Sequence, residues 1–249
     1  MIKIIGHRGA RALAQENSIA GIKAAIAAGV DGIEFDVRLT ADKQLVLSHD
    51  ANMERVWGIK HKISSHSLKE HKQLTKEVGQ PIPTLAEALT AAGNTPVIIE
   101  CKGSDWAKPL SRLLNDYPKK SKCTVIAFNH HELFTFGQYC PNVPLYGLEQ
   151  RNPFDALNDA RIFGFEGIDV SYWVLNPLVY LLAKRHKLDV VVYTINRPWI
   201  ASLYQILYPG ISITTDNPQK MQFLRPRPLR IKSARAKPKQ KQSKTNVSV

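Results

Sequence analysis

Apolar residues recur along the chain in short runs, with longer amphipathic stretches between them. The runs cover 2–6, 32–37, 96–101, 123–128, 144–148, 167–170, 189–195 and 211–215. Short apolar runs bounded by Gly, Pro or polar residues are the pattern of buried strands. Between them, 18–28 carries Ile19, Ile22 and Ile26 on one helical face and stops at Gly29, a conformation that ends helices readily. The stretch 84–92 follows a proline and ends at Gly93, and 129–139, 154–163, 177–187 and 198–207 continue the alternation. Eight strands alternating with helices over about 220 residues predict an α/β fold, a (β/α)8 TIM barrel, in preference to a doubly wound sheet. No GxGxxG follows the first run, so a dinucleotide fold finds no support.

One run breaks the alternation. Residues 45–50 follow the second strand after only 41–44. Parallel strands need a dozen or more connecting residues, so this pair is expected to be an antiparallel hairpin. A four-residue turn sets Thr40 opposite Leu45 and Asp36 opposite His49. Residues 51–83 then read as an irregular insertion, of the length that builds lids and substrate-binding elements. The expected domains are a catalytic barrel over 1–224 and a tail over 225–249.

Charge sharpens that boundary. The net charge is +13 and the pI about 9.7. The tail holds nine Lys or Arg and no Asp or Glu, so removing those nine leaves +4 for the rest. Its Lys/Arg/Pro/Gln/Ser composition predicts a disordered segment. It reads as a solvated extension, as a weak contact for an anionic membrane surface, or as a non-specific nucleic-acid contact; no specific nucleic-acid site is expected. Three widely spaced cysteines without a CxxC pair fit a reducing compartment. No run approaches the length of a membrane span, and the N-terminus lacks the pattern of a signal peptide. The expected location is cytoplasmic.

The candidate chemistry sits at strand ends. His7-Arg8-Gly9 closes the first run, Glu34 and Asp36 lie in the second, His49-Asp50 closes the hairpin, and Glu100 and Lys102 end the third. Residues two apart on a strand share a face, so Glu34 pairs with Asp36 and Glu100 with Lys102. The even positions 98–102 should face the lumen, with Val97, Ile99 and Cys101 toward the helices. Active sites of such barrels are built at the C-terminal strand ends. Three carboxylates from neighbouring strands suit one hard divalent cation. Arg8 and Lys102 beside it suit a phosphate, and His7 and His49 can move protons at neutral pH.

At this point the chain resembles the glycerophosphodiester phosphodiesterases, of bacterial cytoplasmic type. The resemblance rests on His7-Arg8-Gly9-Ala10, Glu16-Asn17-Ser18, Glu34-x-Asp36-Val37, Leu39-Thr40-x-Asp42, His49-Asp50, Ile82-Pro-Thr-Leu-Ala-Glu87, Glu100-x-Lys102, Thr194-x-Asn196 and Thr215-Asp216-x-Pro218, in order over roughly 3–220. It implies a TIM barrel with an insertion after the His-Asp motif, and divalent-cation-dependent hydrolysis of glycerophosphodiesters to sn-glycerol 3-phosphate and an alcohol. By motif it implies Glu34, Asp36 and Glu100 as ligands of one Mg2+, Ca2+ or Mn2+, His7 and His49 as the acid/base pair, and Arg8 and Lys102 as phosphate contacts. The chain departs from the pattern at Ala127-Phe128, Tyr193 and Val56-Trp57, all around the substrate. Phe128 and Tyr193 are expected to line its pocket, though both, like Trp57, could instead be packing residues.

Plainer readings stand beside these. Glu16-Asn17-Ser18 is equally a helix cap or support for the site. Asp216-Asn217-Pro218 is an ordinary helix start. His61, His66, His71, His130 and His131 read as solvated. Rival functions are a related phospholipase acting through a cyclic phosphate, and a binding protein whose barrel is catalytically idle. Oligomeric state is not legible.

Overall fold

The computed structural model describes residues 2–225. Eight strands close a parallel barrel: β1 (Lys3–Gly6), β2 (Gly32–Leu39), β6 (Val97–Cys101), β7 (Cys123–Ala127), β8 (Leu145–Glu149), β9 (Gly167–Ser171), β10 (Asp189–Tyr193) and β11 (Ser212–Thr215). β1 pairs with both β2 and β11, which closes the ring. The eight barrel strands coincide with the eight apolar runs, and the architecture is a (β/α)8 TIM barrel.

Two apolar layers hold it. Outward residues such as Ile4, Ile33, Phe35, Val97, Ile99 and Val125 pack against helix residues such as Ile22, Leu89, Leu110 and Phe136. Ile5, Ile98, Ile126 and Leu148 fill the lumen, with Tyr146 and Tyr193 against them. Each such buried side chain contributes about 1.5–3 kcal/mol. The helices around the ring are α1 (Ile19–Ala27), α4 (Leu85–Ala92), α5 (Ala107–Asp116), α6 (His130–Tyr139), α7 (Pro153–Phe163), α8 (Pro177–Arg185) and α9 (Pro198–Leu207). Ser18 caps α1 by accepting from the Gly21 N–H at 2.9 Å.

The α5 helix is not foreshadowed in the sequence, and its start shows why. Trp106 and Ala107 donate their N–H groups to Glu132 Oε1 on α6, at 2.6 and 3.2 Å. The cap comes from a residue some twenty-five positions away, so no local signal marks it.

The hairpin forms, but in a different register. β3 (Leu45–Leu47) runs antiparallel to β2 with Leu39 opposite Leu45 and Val37 opposite Leu47. Ser48, not His49, stands across from Asp36 and donates to its carbonyl at 3.1 Å. The cause is the turn. Lys43 takes φ +60° and Thr40 N bonds Gln44 O at 3.0 Å, giving a three-residue loop with a left-handed third residue instead of four.

The insertion is ordered. It holds a hairpin of β4 (Asn52–Met53) and β5 (Ile59–Lys62), the short α2 (Glu54–Trp57), and α3 (Leu68–Glu77). Its own small core is Val46, Met53, Trp57, Ile63 and Ile82. The α3 helix hides from hydrophobic periodicity because two of its buried residues are polar. His71 is buried, against expectation, with Nε2 bonded to the Ile63 carbonyl at 2.7 Å. Thr75 bonds the His71 carbonyl and receives the Ile82 N–H. The residues beyond Arg225, on which most of the expected disordered tail falls, lie outside the described ones.

Candidate active site

The barrel mouth gathers the predicted residues. His7 follows β1, and the next two residues bend sharply, with φ +49° at Arg8 and +88° at Gly9. Gly9 also lies against α1: an added Cβ would meet the Gly21 carbonyl carbon at 2.6 Å, so backbone angle and space both demand glycine here. The bend lets Arg8 N donate to Glu34 Oε2 at 2.8 Å and Gly9 N to the Glu34 carbonyl at 2.9 Å. The Arg8 side chain turns inward, with Nε 3.3 Å from Asp36 Oδ2 and Nη1 2.9 Å from Glu16 Oε1.

Glu34, Asp36 and Glu100 come together as the strand pairing requires, since Asp36 sits beside Glu100 across β2 and β6. One oxygen from each lies within 4.8 Å of the others. Glu34 and Asp36 are almost wholly buried. Neither Glu34 Oε1 nor Asp36 Oδ1 has a hydrogen-bond partner among the described residues, and Lys102 Nζ lies 3.2 Å from Asp36 Oδ1. Lys102 also donates to Glu100. Buried carboxylate oxygens without hydrogen-bond partners are costly, and a divalent cation, which takes oxygen donors, would satisfy them. The residues fit such an ion.

The charges respond accordingly. Burial, then the Asp36 charge, pushes Glu100 up to about 7. Glu34 is pushed well above the usual carboxylate range by burial and by Asp36 and Glu100. Asp36 moves the other way: against burial, Lys102 and Arg8 hold it at about 2. Lys102, although buried, is raised by Asp36 and Glu100 and stays charged.

Each histidine is tethered through Nδ1. His7 Nδ1 lies 2.5 Å from Asp216 Oδ1, and its Nε2 is 3.9 Å from Glu34 Oε2. Asp216 is itself held by Arg11 at 3.0 Å and Asn196 at 2.7 Å. His49 Nδ1 lies 2.7 Å from Asp50 Oδ1. Asp50 Oδ2 accepts from Arg55 Nε at 2.5 Å, and Arg55 grips both oxygens of Glu16 at 2.6 and 3.0 Å. Glu16 in turn holds Arg8, so one chain of ion pairs joins the two histidine motifs.

The same residues mark the chain's kinship. A family profile of glycerophosphoryl diester phosphodiesterases matches residues 7–220. The chain belongs to that family. It is 26% identical over 233 residues to a glycerophosphodiester phosphodiesterase of Caldanaerobacter subterraneus subsp. tengcongensis, covering 88% of this chain and 95% of that one. A solved glycerophosphodiester phosphodiesterase of Parabacteroides distasonis superposes with TM-score 0.77 at 28% identity, over 90% of this chain and 96% of that one. A phosphodiesterase of Oleispira antarctica, solved with the product sn-glycerol-3-phosphate, has the same fold, with TM-score 0.82, 22% identity and coverage of 89% and 95%.

Several residues of this phosphodiesterase-family chain do more than their sequence motifs suggest. Asn17 is no mere cap neighbour: its amide donates to Asp36 Oδ2 at 2.8 Å and accepts the Asp36 N–H at 3.0 Å. Ser18 is the cap, so the motif does both jobs. Asp216 orients His7 instead of only opening a helix, although Asn217 does cap the 3₁₀ segment Pro218–Leu224. Arg55 carried no local signal, and Asn196 none beyond its Thr194-x-Asn196 motif. His130 is buried, not solvated: Nδ1 bonds Asp159 at 2.6 Å and Nε2 the Leu148 carbonyl at 3.1 Å. Phe128 is half exposed at the mouth. The Tyr193 ring lines the lumen while its hydroxyl donates to the Glu149 carbonyl at 3.1 Å.

Proposed function

We propose that the chain hydrolyses glycerophosphodiesters to sn-glycerol 3-phosphate and an alcohol in glycerophospholipid turnover. Glu34, Asp36 and Glu100 would hold one divalent cation, Mg2+, Ca2+ or Mn2+, all of which accept oxygen ligands. When bound, the ion supplies Lewis acidity toward the phosphate oxygens. The observation that carries the reading is two carboxylate-tethered histidines, His7 and His49, facing one cluster of three buried carboxylates, with Arg8 and Lys102 beside it.

The division of labour follows from the tethers. Fixing Nδ1 leaves Nε2 of each ring for the substrate. Burial lowers His49, despite the Asp36 and Asp50 carboxylates, and keeps it neutral at pH 7, the form of a base. His49 would take a proton from the attacking water, whose oxygen becomes bonded to phosphorus, and His7 would protonate the departing alkoxide. Lys102 and Arg8 share the charge that grows on phosphorus oxygens. Phe128 and Tyr193 offer apolar surface to the alcohol portion, which the insertion helps select. Three buried, unpaired cysteines support a cytoplasmic location, and no helix of the described residues is long and apolar enough to cross a membrane.

The test is enzyme-coupled release of sn-glycerol 3-phosphate from the choline, ethanolamine, glycerol and inositol diesters, with and without EDTA. His7→Ala and His49→Ala should each lose on the order of 10²-fold or more while remaining folded. Full turnover in excess EDTA would remove the cation from the reading, and an active His49→Ala would remove the base.

A further inference from the structure

The outer surface of the last two helices is apolar and uncovered among the described residues. The α9 helix presents Trp199, Leu203 and Ile206, one stripe at helical spacing, with Trp199 63% and Ile206 77% exposed. The neighbouring α8 presents Leu178 and Leu181, and the loop after β9 presents Trp173, 78% exposed. These pieces are joined. The Tyr180 hydroxyl on α8 donates to the Pro209 carbonyl beyond α9 at 2.7 Å, and its ring packs 5.2 Å from Tyr208. The Tyr204 hydroxyl donates to the Tyr172 carbonyl, next to Trp173. Gln205 donates to the Leu224 carbonyl at 3.2 Å, which brings exposed Phe223 and the root of the tail to the same face. The other two tryptophans, Trp57 and Trp106, are buried. Scattered exposed leucines need no explanation, but a contiguous face with two bare tryptophans does.

Charge says what covers it. No Asp or Glu occurs on α8, on α9 or in Pro218–Leu224, whereas Lys184, Arg185 and Lys220 do, and Arg197 immediately precedes α9. The chain then runs 24 residues past Arg225, and 225–249 holds nine Lys or Arg without one acid. We infer that this face docks on an anionic lipid bilayer, with Trp173, Trp199 and the α9 stripe entering the headgroup region and the basic flank and tail binding acidic headgroups. Tryptophan favours that depth, and an apolar helix face plus a basic cluster is how proteins lie on membranes without spanning them. A second copy is a poorer occupant, because pairing two such faces would bring two strongly cationic segments together. Because α9 begins at the barrel mouth, docking sets the site beside the lipid surface. The inference is independent of the proposed reaction.

The experiment is co-sedimentation of the full chain with vesicles of phosphatidylcholine alone and of phosphatidylcholine with about one-third phosphatidylglycerol, with tryptophan emission read in parallel. Binding is expected only to the anionic vesicles, with a blue shift from Trp173 and Trp199 and loss at about 0.5 M KCl. The double variant Trp199→Ser/Ile206→Ser should partition roughly tenfold more weakly or worse. Trp173→Ser, in a loop, serves as a second variant should the helix tolerate substitution poorly, and truncation after Arg225 should weaken binding at least as much. Failure to bind anionic vesicles, or equal binding by all the variants, overturns the inference. So does a wild-type dimer in sedimentation velocity that the double variant converts to monomer, which would give the face to a second copy. Hydrolysis of glycerophosphocholine by the same samples reports separately: vesicle binding without hydrolysis of any diester sinks the proposed reaction and leaves the docking intact.

Discussion

Glu100 is where stability, pH and cation binding should meet in one measurement. Its carboxyl titrates near 7 in the folded chain, against about 4.5 for an ordinary glutamate, because burial and Asp36 oppose its charge. A raised acid contributes its full stability below the unfolded value and loses it as pH rises through the folded one. Between about pH 4.5 and pH 7 the cation-free protein should therefore lose stability from this group, by about 3 kcal/mol at 1.36 kcal/mol per unit. For a chain of this length that is roughly 6–12 °C in Tm. Adding a divalent ion at pH 8 replaces the missing proton and should restore the loss, by an amount growing with ion concentration over Kd. Glu100→Gln removes the titrating group, so its melting curve should be flatter between pH 5 and 8 and should gain little from the ion. The assay is calorimetry or dye-monitored melting of wild type and Glu100→Gln across pH, in EDTA and in millimolar Mg2+, Ca2+ and Mn2+. A wild-type Tm that rises from pH 5 to 8 in EDTA, or a variant stabilised by the ion as much as wild type, would refute the reasoning.

Asn17→Ala should leave the fold intact and weaken cation binding roughly 10–100-fold, because Asp36 loses the amide hydrogen bond to its carboxylate and the one from its backbone N–H; calorimetric titration with Mn2+ reads this, and unchanged affinity would count against it. Asp216→Asn should lower kcat more than it raises KM, since His7 loses the carboxylate that fixes its ring; an unchanged kcat would count against it. Gly9→Val should destabilise by several kcal/mol in a urea melt, given φ +88° and a backbone carbon at 2.6 Å from the added Cβ; a normal midpoint would show the bend to be elastic. Asp169 in the lumen is buried with Oδ1 lacking a hydrogen bond among the described residues, and burial, then Glu100, pushes its carboxyl well up. Asp169→Leu should stabilise by about 1–3 kcal/mol at neutral pH, and a lower Tm would contradict this.

Much of this molecule is legible in its sequence because barrel strands announce themselves twice, by apolar content and by spacing. All eight runs became barrel strands, and the two-residue spacing of Glu34 with Asp36 and of Glu100 with Lys102 placed their side chains on the lumen side. What stayed hidden depends on contacts between distant segments. The cap on α5 is lent by Glu132, α3 is buried through His71 and Thr75, and the hairpin register turned on the left-handed backbone of Lys43. Local signals did exist for α3 and α4: Ser67-x-x-Glu70 and Thr84-x-x-Glu87 are capping boxes whose hydrogen bonds both form. Asn17 and Asp216 illustrate the harder case. Each sits in a motif with an ordinary local explanation, and only the closed barrel reveals the partner that gives it a second task.

The tether between His7 and Asp216 spans the seam where the first barrel strand meets the last. A chain synthesised only as far as β10 would already contain both histidines and every carboxylate of the cation cluster, yet nothing would hold the His7 ring. Competence thus waits on the final strand and acts as a built-in proof of completion. A circular permutant that joins the ends of the described chain and reopens it in the exposed connection between α5 and β7 should keep the seam and with it turnover, whereas Asp216→Ala should lose turnover with the barrel still closed.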